Sequence, residues 1–152
     1  MNINRLLEIE EGYRAKPYLD SLGFPTVGIG KRIGPKGADL SDYQFTVSKS
    51  IAYAWLEEEV EIVEHALNSY RWFNKLDDDR KTILLSMGYQ LGVTGLLGFK
   101  RMIEAIETED WDWAAYEAKD SLWYKQTTHR AARHVAVIIG HSIDTVYRNF
   151  KI

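Results

Sequence analysis

The stretch that decides the fold is Ile9-Glu10-Glu11-Gly12, followed by Tyr18-Leu19-Asp20-Ser21-Leu22-Gly23-Phe24-Pro25-Thr26-Val27-Gly28-Ile29-Gly30. Ahead of it, Ile3, Leu6 and Leu7 recur on one helical face, and Gly12 suits the position just past a helix end, so a helix is expected over 3–11. After it the texture changes. Residues from about 13 to 40 are rich in Gly, Pro and alternating side chains, and hold all three prolines of the chain, Pro17, Pro25 and Pro35. Residues 17–20 and 26–29 read as two short strands around a turn at 21–24, and 33–37 as a further loop.

Beyond residue 41 there is no proline and the pattern is helical. Ser48 is a good N-cap for a long helix through Ile51, Trp55, Leu56, Val60, Ile62, Val63 and Leu67. The acids of Leu76-Asp77-Asp78-Asp79 suit the start of a second, running through Ile83, Leu84, Met87 and Gln90. Shorter helices are expected at about 94–106 and 110–119. Thr127 or Thr128 could cap one near 129–139, and Ser142 one near 143–150. The fold class is therefore α+β: a small β-hairpin lobe at about 12–47, a connecting helix at 48–68, and a mainly helical lobe at 69–152 packed with helix 1–11. Two lobes joined in this way leave a cleft between them.

Glu11, Asp20 and Thr26 are spaced E-x8-D-x5-T. Cleaving a glycosidic bond needs one carboxylic acid to protonate the leaving oxygen and a second carboxylate across the scissile bond. A hydroxyl beside that carboxylate can help hold the attacking water. Each residue also has an ordinary reading: Glu11 as part of a solvated helix face with Glu8 and Glu10, Asp20 as a turn former before Ser-x-Gly, Thr26 as β-branched strand filling. Their joint spacing on the two arms of one hairpin favours the chemical reading.

Composition narrows the alternatives. At 152 residues, 45% hydrophobic and 27% charged, the chain fits one globular domain with a real core. It has no cysteine, which removes disulfides and thiolate metal sites and fits folding in a reducing cytoplasm. No apolar h-region and no membrane-length run is present, so stable membrane insertion is not expected. The net charge of −3 argues against general attraction to nucleic acid. The charge is uneven: Glu57, Glu58, Glu59, Glu61 and Glu64 crowd one helix, while Lys125, Arg130, Arg133, Arg148 and Lys151 lie near the end. Two solvated faces explain this more simply than a wall-binding patch. His65, His129, His134 and His141 lack convincing metal spacing, and neither a P-loop nor a nucleophile elbow is present, so no metal or cofactor is expected. The five tryptophans read as core and helix-packing residues.

The sequence resembles the phage-type lysozymes, muramidases similar to the T-even phage lysozyme. The resemblance rests on Glu11, Asp20 and Thr26-Val27-Gly28-Ile29-Gly30. It continues through Tyr89-Gln90-Leu91-Gly92-Val93-Thr94-Gly95-Leu96-Leu97-Gly98-Phe99, Trp111-Asp112-Trp113-Ala114-Ala115 and Ser121-Leu122-Trp123-Tyr124-Lys125-Gln126-Thr127, and ends at Arg130 and Arg133. It implies hydrolysis of the β-1,4 bond between N-acetylmuramic acid and N-acetylglucosamine of peptidoglycan, with inversion. Glu11 would be the proton donor, Asp20 would activate or position water, and Thr26 would help hold it. Arg130 matches the arginine that pairs with the catalytic glutamate, and Gln90 and Trp123 match residues joining the two sides of the helical lobe. Gly30, Arg32, Tyr89, Met102 and Glu117 fall where the family lines its sugar groove. A monomer is expected, resident in the host cytoplasm before lysis and acting on the cell wall. A phage endolysin of this kind would be delivered through a holin-type pore made by a partner, or would act from within a virion.

Three departures stand out. Lys31 replaces a histidine that typically pairs with an aspartate on the connecting helix; Glu59 falls at that position, so a Lys31–Glu59 ion pair of the same polarity is expected. The segment between Lys31 and Ser48 is short, trimming the β-lobe by about a strand pair or a loop. The acidic balance contrasts with strongly basic relatives. Two other readings compete: a catalytically silent lysozyme-shaped wall-binding or structural module, and a lytic transglycosylase, which Asp20 and Thr26 argue against because it needs no water.

Overall fold

The computed structural model describes residues 1–150; Lys151, counted above with the basic cluster, and Ile152 lie outside the described residues. The chain divides into two compact units, one of residues 2–61 and one from Ile62 onward that also takes in Met1, whose amine lies 3.5 Å from Asp144 Oδ1.

In the first unit, α1 (Ile3–Glu11) is capped by the Asn2 side chain, which accepts from Arg5 N. It buries Leu6 and Leu7 completely. Gly12 ends it at φ 71°, its N–H returning to Glu8 O, as the sequence suggested. Three antiparallel strands follow in the order β1-β2-β3: β1 (Arg14–Leu19), β2 (Pro25–Gly28) and β3 (Lys31–Arg32). β1 begins three residues earlier than the sequence pattern suggests. Its register slips between Arg14 and Tyr18, around Pro17. Proline has no N–H for a ladder, and such an irregular stretch accommodates it. β3 was not anticipated, because two residues are too few to show alternation.

The β2–β3 connection is a tight loop with Gly28 at φ 68° and Gly30 at φ 66°, a region that side-chain-bearing residues avoid. Gly28 has a packing role too: a Cβ there would lie 3.1 Å from Ala52 Cβ on α2 (Lys49–Leu67). Ser48 Oγ accepts from Ile51 N at the start of α2, as expected of a cap. Helix α2 runs through both units, its residues to Glu61 in the first. Val27, Ile29, Val47, Ala52, Leu56 and Val60 are also buried in the first unit.

Glu8 ties the two helices of this unit together. Its carboxylate takes Arg5 Nη1 at 3.0 Å and Lys49 Nζ at 2.8 Å, and accepts from the Tyr53 hydroxyl. The hydrogen bonds from Lys49 first, then Tyr53, hold the Glu8 carboxyl down at about 2. Burial and this contact push the Tyr53 phenol up to about 12.

The second unit is helical. α3 (Arg71–Asn74) is a single turn that the sequence pattern did not separate. α4 (Asp78–Leu97) is capped by Asp77, which accepts from Arg80 N, and is broken at Gly92, φ 76°. Ile83 to Gly88 are buried on every side, so α4 is the central helix of the unit. α5 (Lys100–Glu107), α6 (Trp111–Lys119), α7 (Leu122–Gln126), α8 (Thr128–Ile139) and α9 (Ile143–Val146) follow. The piece expected at 94–106 is thus two helices, the end of α4 and α5, parted at Gly98 and Phe99. Arg80 joins three elements: it stacks 3.8 Å from the Trp111 ring centroid, donates to Ile138 O and pairs with Asp77. Ser142 caps α9 by accepting from Thr145 N, but α9 is only four residues long and a 3-10 turn replaces its expected continuation. Thr127 occupies the cap position of α8 without a capping hydrogen bond; its hydroxyl donates to Trp123 O and its oxygen accepts from Gln90 Nε2. Among the described residues no single helix is long and apolar enough to cross a membrane.

Replacing Glu8 by Gln should lower unfolding free energy by about 2 kcal/mol, the scale of charge-assisted hydrogen bonds. The folded carboxyl sits at about 2 against an ordinary 4.5. The native state therefore binds fewer protons between those values, and the stabilisation is full above 4.5 and lost as pH falls towards 2. Denaturant melts across that window should show this acid dependence in the parent and a shallower one in Glu8→Gln; parallel curves would remove the Glu8 network from the account.

Candidate active site

Glu11, Asp20, Thr26, Gly30 and Arg32 lie in the first unit; Tyr89, Gln90, Met102, Glu117 and Arg130 lie in the second.

Glu11 is the last residue of α1 and half-buried. Its carboxyl rests against the backbone of Gly30: a Cβ at that position would stand 2.5 Å from Glu11 Oε2 and 2.8 Å from Cδ. The positive φ of the loop favours glycine, and a side chain there would displace the end of the Glu11 side chain.

Asp20 follows β1 and closes the turn to β2. Its Oδ1 accepts from Leu22 N at 3.0 Å and Phe24 N at 2.9 Å. Its Oδ2 lies 3.2 Å from Arg32 Nε. The turn-forming reading is therefore correct in geometry, and it leaves the carboxylate held by both oxygens. Arg32 lies over the Phe24 ring, 4.0 Å from its centroid, which steadies the guanidinium beside Asp20.

Thr26 is 2% exposed and donates its hydroxyl to Phe24 O at 2.9 Å. With that proton committed, the oxygen can still accept a hydrogen bond. Thr26 pairs across the sheet with Tyr18 on one side and Arg32 on the other, so all three side chains project from the same face. Tyr18 was not singled out from the sequence. Burial, and then the charge of Glu11 with a smaller share from Asp20, pushes its phenol above the ordinary range against the opposing Arg14. Its only sequence signal is its place two residues before Asp20 on a short strand.

Lys31 Nζ pairs with Glu59 Oε1 at 3.1 Å, as the departure from the histidine pattern suggested. The side chains are 35% and 39% exposed, so the pair is held in water's reach.

In the second unit, Gln90 Oε1 accepts from Trp123 Nε1 at 2.9 Å, and its amide nitrogen lies 3.4 Å from Thr127 Oγ1, joining α4 to α7. Trp123 also meets Phe99 edge to face. Arg130, 8% exposed, donates through Nη2 to Ser86 O and Oγ. Tyr89 is half-buried on α4. Met102 is 1% exposed, and together with Glu117 it lines a pocket of about 660 Å³ between α4, α5, α6 and α7. Glu117 Oε1 accepts from Trp113 Nε1 at 3.3 Å. Ser86 and His134, buried beside Arg130, were not read as site residues; nothing in sequence relates positions 48 residues apart.

Residues 8–135 match the family model described as phage lysozyme. The probable T4-type lysozymes 1 and 2 of Dictyostelium discoideum are 28% and 27% identical, each over 90% of this chain and over 93% and 92% of their own lengths. The pre-baseplate central spike protein Gp5 of Enterobacteria phage T4 is 28% identical over 95% of this chain, which spans only 29% of that protein.

Gly30→Ala forces a side chain into the Glu11 carboxyl and into a left-handed backbone. It should cost about 1–3 kcal/mol, read as a lowered denaturant midpoint, together with displaced Glu11 resonances by NMR. Unchanged stability and unshifted Glu11 signals would contradict the contact. For Lys31 and Glu59, a double-mutant cycle should give a coupling below about 1 kcal/mol that shrinks in salt.

Proposed function

The chain belongs to the phage lysozyme family, a family of lysozyme-type glycosidases, and from that membership we propose that it hydrolyses the β-1,4 bond between N-acetylmuramic acid and N-acetylglucosamine in peptidoglycan. The observation that carries the proposal is one geometry. Glu11 is set against Gly30, and Asp20 and Thr26 stand on the turn and strand of the same small sheet, all within the span that matches the family.

In this reading Glu11 gives its proton to the leaving glycosidic oxygen as the bond to the anomeric carbon breaks. The water that attacks from the other side directs one hydrogen to Asp20 and the other to the Thr26 oxygen. Leu22 N, Phe24 N and Arg32 Nε hold the Asp20 carboxylate in place on the turn, where it can orient that water. The Thr26 hydroxyl already donates to Phe24 O, so it meets the water as an acceptor. A water whose two hydrogens are so held points a lone pair at the anomeric carbon, and the product sugar emerges inverted.

The role is that of an endolysin freeing phage from its host. The likeness to part of a spike protein supports a second route of delivery, from within a virion.

Mass spectrometry of products from purified peptidoglycan should find chains ending in reducing N-acetylmuramic acid. Glu11→Gln should lower turnover by about a thousandfold, the scale of general acid catalysis, with its unfolding midpoint almost unchanged. Anhydro products would make the protein a transglycosylase, and none at any salt or pH would make it a silent module.

A further inference from the structure

Four buried polar side chains of the second unit form a single chain of hydrogen bonds. Arg130 Nη2 donates to Ser86 O at 3.2 Å and Oγ at 3.0 Å. Ser86 Oγ lies 2.7 Å from His134 Nε2, and His134 Nδ1 lies 3.2 Å from the Tyr147 hydroxyl. Ser86, His134 and Tyr147 are 0% exposed and Arg130 is 8% exposed. Helices α4 and α8 and the residue after α9 supply the parts.

This arrangement is not what packing alone selects. An apolar residue at 86 or 134 would fill the space without needing partners, whereas each of these groups must be satisfied where no water reaches. Burial, reinforced by the charges of Arg130 and Arg133, holds the His134 ring well below its ordinary range, so it stays neutral. A neutral imidazole has one N–H and one acceptor. A ring N–H bonds the backbone carbonyl of Arg130, one turn back along α8. Because Ser86 Oγ already receives a hydrogen from Arg130, its own hydrogen can point at Nε2. That makes Nδ1 the protonated nitrogen, with its hydrogen directed towards the Arg130 carbonyl and Tyr147. The hydrogen bonds from Arg130 Nη2 through Ser86 and His134 then run in one consistent direction towards Tyr147.

We propose that Ser86 and His134 are positioning residues for Arg130. The serine offers two acceptors to one guanidinium nitrogen, and the histidine fixes the serine's rotamer, so the plane and direction of the guanidinium are set from behind. The inference rests on the proposed reaction, in which the family resemblance makes Arg130 a supporting residue; Ser86 and His134 act only through it. Flexible arginine side chains lose reactivity when misaligned by small amounts, and a site that depends on alignment gains from such an anchor.

The test is a double-mutant cycle of Ser86→Ala and Arg130→Lys on the full chain, reading kcat and KM on peptidoglycan beside unfolding midpoints. Ser86→Ala should lower kcat about tenfold with KM little changed, the signature of misalignment. In the Arg130→Lys background the same change should alter kcat less than about twofold. A full tenfold loss in both backgrounds, or a lowered midpoint with unchanged kcat, overturns the proposal. Long-range ¹H–¹⁵N NMR of the unmodified protein is a check independent of any variant: Nδ1 must carry the proton, and a protonated Nε2 overturns the relay. The underlying reaction fails separately, through Glu11→Gln. If that variant keeps its activity, the reaction reading falls; if it is inactive and the cycle shows no coupling, only the positioning role falls.

Discussion

The approach of Glu11 to Gly30 is the constraint on which the first unit depends. A helix ends on a carboxyl-bearing residue, a tight loop between β2 and β3 turns back, and the two meet with no room for a single methyl group. The loop geometry takes a positive φ that favours glycine, and the glycine leaves the Glu11 carboxyl undisplaced against the backbone. Gly28 repeats the device against Ala52, letting the strand lie directly on α2. The Glu8 network then fixes α1 to α2 with Lys49 and Tyr53. Glu11 thereby inherits its place from contacts made one turn earlier on its own helix and from a loop whose shape favours glycine.

Asp20 illustrates how structural and chemical demands coincide. Its Oδ1 closes the β1–β2 turn, which makes it an ordinary turn residue; its Oδ2 faces Arg32, which β3 brings alongside Thr26. A carboxylate that builds its own turn cannot drift from the strand that carries its partner hydroxyl. The same economy appears in the second unit, where Gln90 and Trp123 join α4 to α7 while Ser86 and His134 hold Arg130. The α+β lysozyme-like fold therefore supplies each unit with its own rigid scaffold for the side chains it carries.

Much of this was legible in sequence because it is local. Gly12 as a helix stop, Asp77 and Ser48 as helix starts, and Asp20 as a turn former depend on residues within four positions of one another. The Lys31–Glu59 pair was legible for another reason: two departures from a known pattern compensate in charge. What escaped was either too short or too distant. β3 has two residues and exists only because the glycine loop folds it back onto β2. Thr127 had the composition of a cap, but its oxygen accepts from Gln90 instead of from the start of α8. His134 offered no metal spacing in the sequence, and its partners Ser86 and Tyr147 become neighbours only through the packing of α4, α8 and the chain's end. Local rules cannot supply contacts that tertiary packing creates.

The most direct test of the account is the stereochemistry of the first product. Proton NMR during early turnover of a soluble β-linked glycan, before mutarotation equilibrates the ends, reports which anomer forms first. Water held by Asp20 and Thr26 on the face opposite Glu11's leaving group must yield the α-anomer. Initial release of the β-anomer would require a covalent or substrate-assisted route and would contradict the roles assigned to both residues.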